Sequence, residues 1–158
     1  MRQAWFLDYD TDNCTIGAAV GILGEKWTFI VLREAFSGIR RFDDMHRRTQ
    51  APRQILSDRL ARLVRQGLLR KVPYQDHGQR TRFEYRLTDK GLDLYPVLVA
   101  LMEWGERYAA GPAGPQALLT HRGCGQPVRL QLTCAQGHTV NSAREVTPLP
   151  GPGARKIA

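Results

Sequence analysis

PRQILSDRLARLVRQGLLRKVPYQDHGQRTRFEYRLTDKG, residues 52–91, is the stretch that decides the fold. In its first third, apolar side chains recur at helical spacing, at Ile55, Leu56, Leu60, Leu63 and Val64. Gly67 ends that pattern, as glycine often does beyond the C-terminus of a helix. Residues 68–74 and 82–87 then alternate as β-strands do, and a polar connection containing Gly78 joins them. The stretch therefore predicts an arginine-rich amphipathic helix followed by a β-hairpin.

Two helices are predicted immediately before this stretch, after a small apolar helix over residues 14–24. Residues 26–36 (KWTFIVLREAF) place apolar side chains on one helical stripe, which Ser37-Gly38 ends. Residues 42–49 (FDDMHRRT) fit a short helix, and Ala51-Pro52 breaks the chain before the next helix begins near Arg53. A short helix, a tight turn and an amphipathic helix are the components of a helix-turn-helix.

The segment after the hairpin predicts a long helix over residues 88–110. Thr88 fits its N-cap, and Pro96 predicts a kink or a break. Three helices, a hairpin and a further helix describe an α+β winged helix-turn-helix. The predicted divisions are an N-terminal arm (1–13), the winged helix-turn-helix domain (14–110), a linker (111–116), a small β-rich appendage (117–146) and a flexible tail (147–158).

Positive charge is concentrated in the middle of the chain. The whole chain carries a formal net charge of +8, and residues 33–90 hold 15 basic and 7 acidic side chains. Most of these basic side chains are arginines, whose planar groups suit phosphate and guanine. The clustering therefore favours double-stranded DNA as the partner, and the alternative is a solvated helical surface with surplus arginine.

Targeting and redox signals are typical of a cytoplasmic protein. No run approaches the roughly 18 apolar residues of a membrane span, and the N-terminus carries acidic residues where a signal peptide carries basic ones. Three cysteines are too few for the disulfide framework of a secreted protein. We therefore expect a cytoplasmic protein with reduced thiols and no membrane partner.

Five motifs occur in a characteristic order: GEKWTFIVLREAFSG (24–38), RRFDDM (40–45), ILSDRLARLVRQGLLRK (55–71), FEYRLTDKG (83–91) and LMEWGERY (101–108). With these motifs the chain resembles the HxlR-type bacterial transcriptional regulators over residues 13–108. Glu25 stands where that family usually has glycine, and Arg80-Thr81-Arg82 stand where its wing more often carries a proline. The resemblance implies a winged helix that binds DNA as a homodimer.

The recognition helix presents a polar face opposite its apolar stripe, formed by Gln54, Ser57, Asp58 and Arg62. Gln, Ser and Arg side chains can read base edges in a major groove, and Arg53 lies in the first turn, which can enter the groove. The alternative is that these are ordinary solvated side chains. Arg59 lies nearer the buried side, where a structural ion pair or a phosphate contact is expected.

Four further arginines flank the recognition helix and complete the predicted DNA-binding set. Arg47 and Arg48 end the preceding helix and would reach phosphates, or would cap the negative end of that helix. Arg80 and Arg82 flank the hairpin tip, where a wing contacts the DNA backbone or the minor groove.

The long helix over residues 88–110 is too apolar for a solitary surface helix, which agrees with the homodimer. Its apolar residues include Leu94, Val97, Leu101, Met102 and Trp104. The N-terminal Trp5, Phe6 and Leu7 would pack across the same interface.

Cysteine and histidine raise two further hypotheses. Some HxlR-type regulators use a cysteine at the position of Cys14 to sense oxidants or electrophiles, so the resemblance implies a redox or small-molecule effector; the alternative is a buried packing residue. His121, Cys124, Cys134 and His138 are zinc-ligand types that a tetrahedral site could gather. Because the usual C-x2-C knuckles are absent, the alternative is incidental His and Cys residues, and no cofactor is expected.

Taken together, these patterns predict a non-enzymatic, sequence-specific DNA-binding transcriptional regulator. One alternative is a winged helix that binds protein, which would lack salt-dependent DNA affinity. Another is an enzyme with Cys14 or Cys134 as nucleophile and His121 or His138 as base. No motif in the sequence places an acid, a base and oxyanion donors together.

Overall fold

The computed structural model describes residues 7–157. Its α-helices are α1 (Thr15–Leu23), α2 (Lys26–Phe36), α3 (Phe42–Thr49), α4 (Arg53–Arg65), α5 (Asp89–Leu92) and α6 (Tyr95–Tyr108). Its strands are β1 (Leu69–Tyr74), β2 (Arg82–Leu87), β3 (Leu132–Thr133) and β4 (Thr139–Val140). The chain divides into two compact units: residues 23–130 form one, and the described parts of residues 1–22 and 131–158 form the other.

The core of the unit formed by residues 23–130 lies where α2, α3 and α4 pack together. The apolar stripes of the three helices meet there, and their buried side chains include Val31, Leu32, Met45, Leu56, Leu60 and Leu63. Full burial of one such side chain contributes about 1.5–3 kcal/mol, so this cluster fixes the helices relative to one another. The predicted helices over 26–36 and 42–49 are confirmed at both ends.

Residues 50–52 make the turn of the helix-turn-helix. Gln50 adopts a φ of 54°, and its backbone N–H donates to the carbonyl oxygen of His46. The Nδ1 atom of His46 lies 2.9 Å from the carbonyl oxygen of Ala51, which is buried. Pro52 then occupies the N-cap of α4, so the recognition helix begins at Arg53, as predicted.

The predicted hairpin is confirmed as an antiparallel pair of β1 and β2, with Leu69 opposite Leu87 and Tyr74 opposite Arg82. The segment before α3 adds to its edge: the backbone N–H of Tyr85 donates to the carbonyl oxygen of Arg40 at 2.8 Å. Arg41 also forms a β-bridge with Glu84. These contacts tie the wing to the start of α3, so the hairpin and the helix-turn-helix form one body.

The long helix predicted over residues 88–110 is two helices, α5 and α6, with the break at Asp93 and Leu94, just before Pro96. Thr88 caps α5 as predicted, because its Oγ1 accepts a hydrogen bond from the backbone N–H of Gly91 at 3.1 Å. A Cβ atom at Gly91 would lie 2.2 Å from the carbonyl oxygen of Leu68, so only glycine lets α5 approach the base of the wing this closely.

The other unit joins the two ends of the chain. Tyr9 and Lys156 form an antiparallel bridge, and backbone hydrogen bonds run from Asp10 to Arg155 and from Ile157 to Asp8. The sequence predicts a flexible tail over 147–158, whereas the structure pairs its end with residues 8–10. Trp5 and Phe6 lie outside the described residues, and Leu7 is exposed.

The predicted appendage over residues 117–146 is not one body. Its first part, to Leu130, belongs to the unit of residues 23–130, and its second part belongs to the other unit. Regular strand is confined to β3 and β4, each of two residues, with an additional bridge between Thr120 and Pro127. The expectation of a β-rich appendage therefore overestimated its strand content.

Over residues 7–157, no single helix is long and apolar enough to cross a membrane. Only α1 and α2 taken together meet that test, by length and composition.

Candidate nucleic-acid interface

The first turns of α4 present a polar, exposed surface. Arg53, Gln54, Ser57 and Asp58 are all exposed, while Leu56 and Leu60 on the opposite side are buried. The Gln54 side-chain amide donates to Asp58 Oδ1 at 2.9 Å. This bond uses one of the two N–H groups of the Gln54 side chain. The helix thus carries donor and acceptor groups of the kind that recognise base edges.

Asp43 of α3 connects the recognition helix to the wing. Its Oδ1 atom accepts a hydrogen bond from Arg53 Nη2 at 2.9 Å, and its Oδ2 atom lies 3.4 Å from Arg82 Nη1. The guanidinium of Arg53 also lies over the ring of Phe42, 5.0 Å from its centroid. The side chains of both arginines remain more than half exposed. The Asp43 carboxylate therefore holds two arginine side chains on the exposed surface beside the start of α4.

A second set of contacts, made by Arg41, stabilises the wing. Arg41 pairs with Asp76 at 3.1 Å, and its guanidinium lies 4.1 Å from the centroid of the Tyr74 ring. Burial raises the pKa of the neighbouring Tyr85 on β2 above its usual value. Arg80 lies beyond these contacts in the exposed tip between the strands. The wing is therefore held near its tip, and Arg80 is exposed in the same connection between the strands.

Arg47 and Arg48 have different partners in the structure, although the sequence predicts the same roles for both. Arg47 is exposed and pairs with Asp44 one turn earlier on α3. Arg48 instead donates to the carboxylate of Glu34, a fully buried residue of α2. Arg48 thus has a structural partner that competes with any phosphate.

Glu34 lies between two guanidinium groups. Its Oε1 atom accepts hydrogen bonds from Arg33 at 2.9 and 2.6 Å, and its Oε2 atom accepts one from Arg48. Burial acts to raise the pKa of Glu34, but the hydrogen bonds and charges of Arg48 and Arg33 outweigh it. The pKa of this carboxyl group therefore lies below its usual value, and Glu34 is an anion at neutral pH.

Arg62 lies at the edge of the predicted face. Its Nη1 atom is 3.3 Å from Glu25 Oε1, and Arg59 pairs with the same carboxylate. The expected structural ion pair of Arg59 is therefore confirmed. Glu25, where the family usually has glycine, holds both arginines near the start of α2.

Residues 22–112 match the HxlR-like helix-turn-helix family. The chain belongs to the HxlR-like helix-turn-helix family. It is 45% identical over 147 residues to an uncharacterized HTH-type transcriptional regulator of Mycobacterium tuberculosis, and the match covers 93% of this chain and 92% of that protein. This HxlR-like chain is accordingly a transcriptional regulator of the helix-turn-helix class.

Two solved structures are similar to this HxlR-like chain over almost its whole length. The crystal structure of PA1607, a candidate transcription factor, has a TM-score of 0.77 and 34% identity, covering 89% of this chain and 96% of that one. The structure of the candidate transcription factor PA1374 from Pseudomonas aeruginosa has a TM-score of 0.60 and 36% identity, covering 90% and 95%. The winged-helix fold predicted from the sequence is confirmed.

Cys14 lies just before α1 of the HxlR-like chain and is exposed. Its Sγ atom accepts a hydrogen bond from the backbone N–H of Gly17 at 3.3 Å. The interpretation as a buried packing residue is therefore wrong for this structure, because solvent reaches the thiol.

The four predicted zinc ligands are divided between the two compact units of the chain. His121 Nδ1 lies 3.3 Å from Cys124 Sγ, and the backbone N–H of Cys134 donates to the carbonyl oxygen of His138. In the part of the chain that the structure describes, no group of three or more His, Cys, Asp or Glu side chains could hold a metal ion. The zinc site that the sequence suggests at His121, Cys124, Cys134 and His138 stays a prediction.

Three residues of the interface were missed from the sequence: Glu34, Arg41 and Asp43. Each acts through a partner distant in sequence, so periodicity gives no sign of it. RRFDDM did contain a usable signal, because two arginines and two aspartates beside a predicted helix start are candidates for cross-element ion pairs.

Proposed function

We propose that this regulator binds double-stranded DNA as a homodimer, with α4 in the major groove and the wing along the backbone. The observation that carries the proposal is the joint display of Arg53 and Arg82 on either side of Asp43. Next to them, Gln54, Ser57 and Asp58 lie exposed on the first turns of α4. This surface combines charge for phosphates with hydrogen-bonding groups for bases, as sequence-specific binding requires.

The second copy would be held mainly by α6. Val97, Leu101, Trp104 and Tyr108 lie on one side of this helix, and they are 41%, 48%, 61% and 65% exposed. Trp104 and Tyr108 also contact each other, with ring centroids 5.4 Å apart. An exposed apolar stripe of this kind favours a protein–protein interface, and a symmetric dimer places two recognition helices on one duplex.

The proposal places the regulator in the cytoplasm, where its DNA is, and assigns it no catalytic step. An effector would act on DNA binding, and the exposed thiol of Cys14 supports an electrophile as one such signal. The alternative interpretation, a winged helix that binds protein, gains no specific support from the arginine surface.

A salt titration with fluorescently labelled duplex tests the proposal. Affinity of the full chain for a random 30-bp duplex should fall steeply between 50 and 200 mM salt, because bound arginines release counterions. Arg53→Gln should weaken binding, whereas Arg129→Gln, an exposed arginine outside the winged helix elements, should leave it unchanged. Affinity that is independent of salt and equal in both variants would contradict the proposal.

A further inference from the structure

Within residues 23–130, α2, α6 and the segment of residues 109–119 surround a cavity of about 820 Å³. Its walls are mainly apolar and include Phe29, Ile30, Phe36, Leu98, Val99 and Met102. Cavities that bind small organic molecules usually measure about 300–1,000 Å³ and have apolar walls with a few polar groups. The predicted linker therefore does more than join segments, because Gly111, Gly114 and Pro115 form part of this wall.

Two arginines supply the polar groups of the cavity. Arg33 and Arg48 both line it, and their side chains are 46% and 50% exposed. Both arginines donate hydrogen bonds to Glu34. Because Glu34 carries a single negative charge, the net charge of the three side chains is +1. The bonds to Glu34 use Nε and Nη2 of Arg33 and Nε of Arg48, which leaves donors on each guanidinium for a ligand.

On α6, the walls of the cavity are centred on a different side from the stripe assigned to the dimer, although Leu101 belongs to both. At about 100° per residue, Val97, Trp104 and Tyr108 lie within roughly 40° of one another. Leu98, Met102 and Gly105, which line the cavity, are centred roughly 100° away. A dimer formed through Val97, Trp104 and Tyr108 would leave these walls in place, and Leu101 would lie at the boundary between the cavity and the second copy.

We propose that this cavity binds an organic anion that has an aromatic or branched hydrocarbon body and one carboxylate. The body occupies the apolar space between α2 and α6, and the carboxylate accepts hydrogen bonds from Arg33 and Arg48. Glu106 of α6 also lines the cavity, and its charge opposes that of the ligand. Of the predicted DNA-binding residues, Arg48 alone lines the cavity within the part of the chain that the structure describes.

Isothermal titration of the full chain with 2-naphthoate and with its neutral analogue 2-naphthamide tests the site. The two probes have the same ring system and differ in charge. We expect 2-naphthoate to bind at one molecule per chain and at least tenfold more tightly than 2-naphthamide. Equal affinity for the two probes, or no binding of either, would overturn the proposal.

Three variants locate the binding. Arg33→Gln should lower the affinity for 2-naphthoate at least fivefold, and Met102→Trp should abolish binding by filling the cavity. Glu106→Gln should raise the affinity, a gain that a misfolded protein would not give. Arg107→Gln is the matched control, because this exposed arginine of α6 does not line the cavity. Affinity unchanged in all three variants, or changed as much by Arg107→Gln, would overturn the proposal.

Discussion

Arg53 of the recognition helix and Arg82 of the wing share one carboxylate, that of Asp43, at 2.9 and 3.4 Å. The residues are far apart in sequence, and the shared ion pair brings the two DNA-contacting elements of a winged helix into a fixed relationship. Asp43 therefore acts as a positioning residue, holding both cations before DNA arrives. Because its own charge would oppose the approach of a phosphate, we expect Asp43 also to limit non-specific binding.

Asp43→Asn should raise affinity for random DNA and reduce discrimination between random and preferred duplexes. The change removes a negative charge from the DNA-facing surface and releases Arg53 and Arg82. Anisotropy titrations with both kinds of duplex measure this. Asp89→Asn, which removes the same charge from exposed α5, is the control and should have little effect on either affinity.

Arg80 and Gln54 should affect binding differently. Arg80→Ala should weaken binding to all duplexes and reduce the salt slope by about one unit, because one phosphate contact is lost. Gln54→Ala should cost about 1–3 kcal/mol on the preferred site and relax preference at one base pair. If the two variants act identically on preferred and random DNA, the assignment of α4 to the groove is wrong.

Arg47 and Arg48 should differ in their effect on stability. Arg48→Met should lower the free energy of unfolding by about 1–3 kcal/mol, because Glu34 is left buried with one fewer hydrogen bond. Arg47→Met should lower it by about 0–1 kcal/mol, since its pair with Asp44 is exposed. Urea denaturation of the two variants measures both values. Equal losses would contradict the structural role of Arg48.

At acid pH, Glu34 should contribute less to the free energy of unfolding. Because its pKa in the folded protein is lowered, the stability it supplies is fully present above the unfolded pKa of about 4.3. That stability is lost as the pH falls through the lower folded pKa. The difference in unfolding free energy between the wild type and Glu34→Gln should therefore narrow as the pH falls below about 4. A difference that stays constant down to pH 2 would contradict the ionised state assigned to Glu34.

The dimer should depend on α6. Trp104→Glu should convert the protein from dimer to monomer in sedimentation velocity, because it places a charge in an apolar interface. Leu118→Glu is the control, since Leu118 is 79% exposed and lies outside α6. A wild-type protein that is monomeric at micromolar concentration and still binds its preferred site fully would contradict the dimer.

Local patterns predicted the helices and the hairpin because each depends on neighbouring residues. Apolar periodicity predicted α2 and α4, Pro52 predicted the start of α4, and Thr88 predicted the N-cap of α5. The position of the break before Pro96 also followed from the chemistry of one residue. These features need no knowledge of distant contacts.

Contacts between distant segments were not predictable in the same way. Nothing in the spacing of Glu34 and Arg48 shows that one is buried and the other turns towards it. The pairing of Tyr9 with Lys156 likewise joins opposite ends of the chain. Gln50 in the left-handed region was also missed, because glycine or asparagine is the usual residue there. The DNA contacts of individual α4 residues stay predictions.

Selection of the duplexes that the full chain prefers from a random library, followed by hydroxyl-radical footprinting, tests the central claim most directly. The account predicts enrichment of a palindrome whose half-sites are about 10–10.5 bp apart, or a multiple of that spacing. It also predicts a footprint that is symmetric about the centre and weakened by Arg53→Gln. No enriched sequence, or an enriched sequence whose footprint is unchanged by Arg53→Gln, would contradict it.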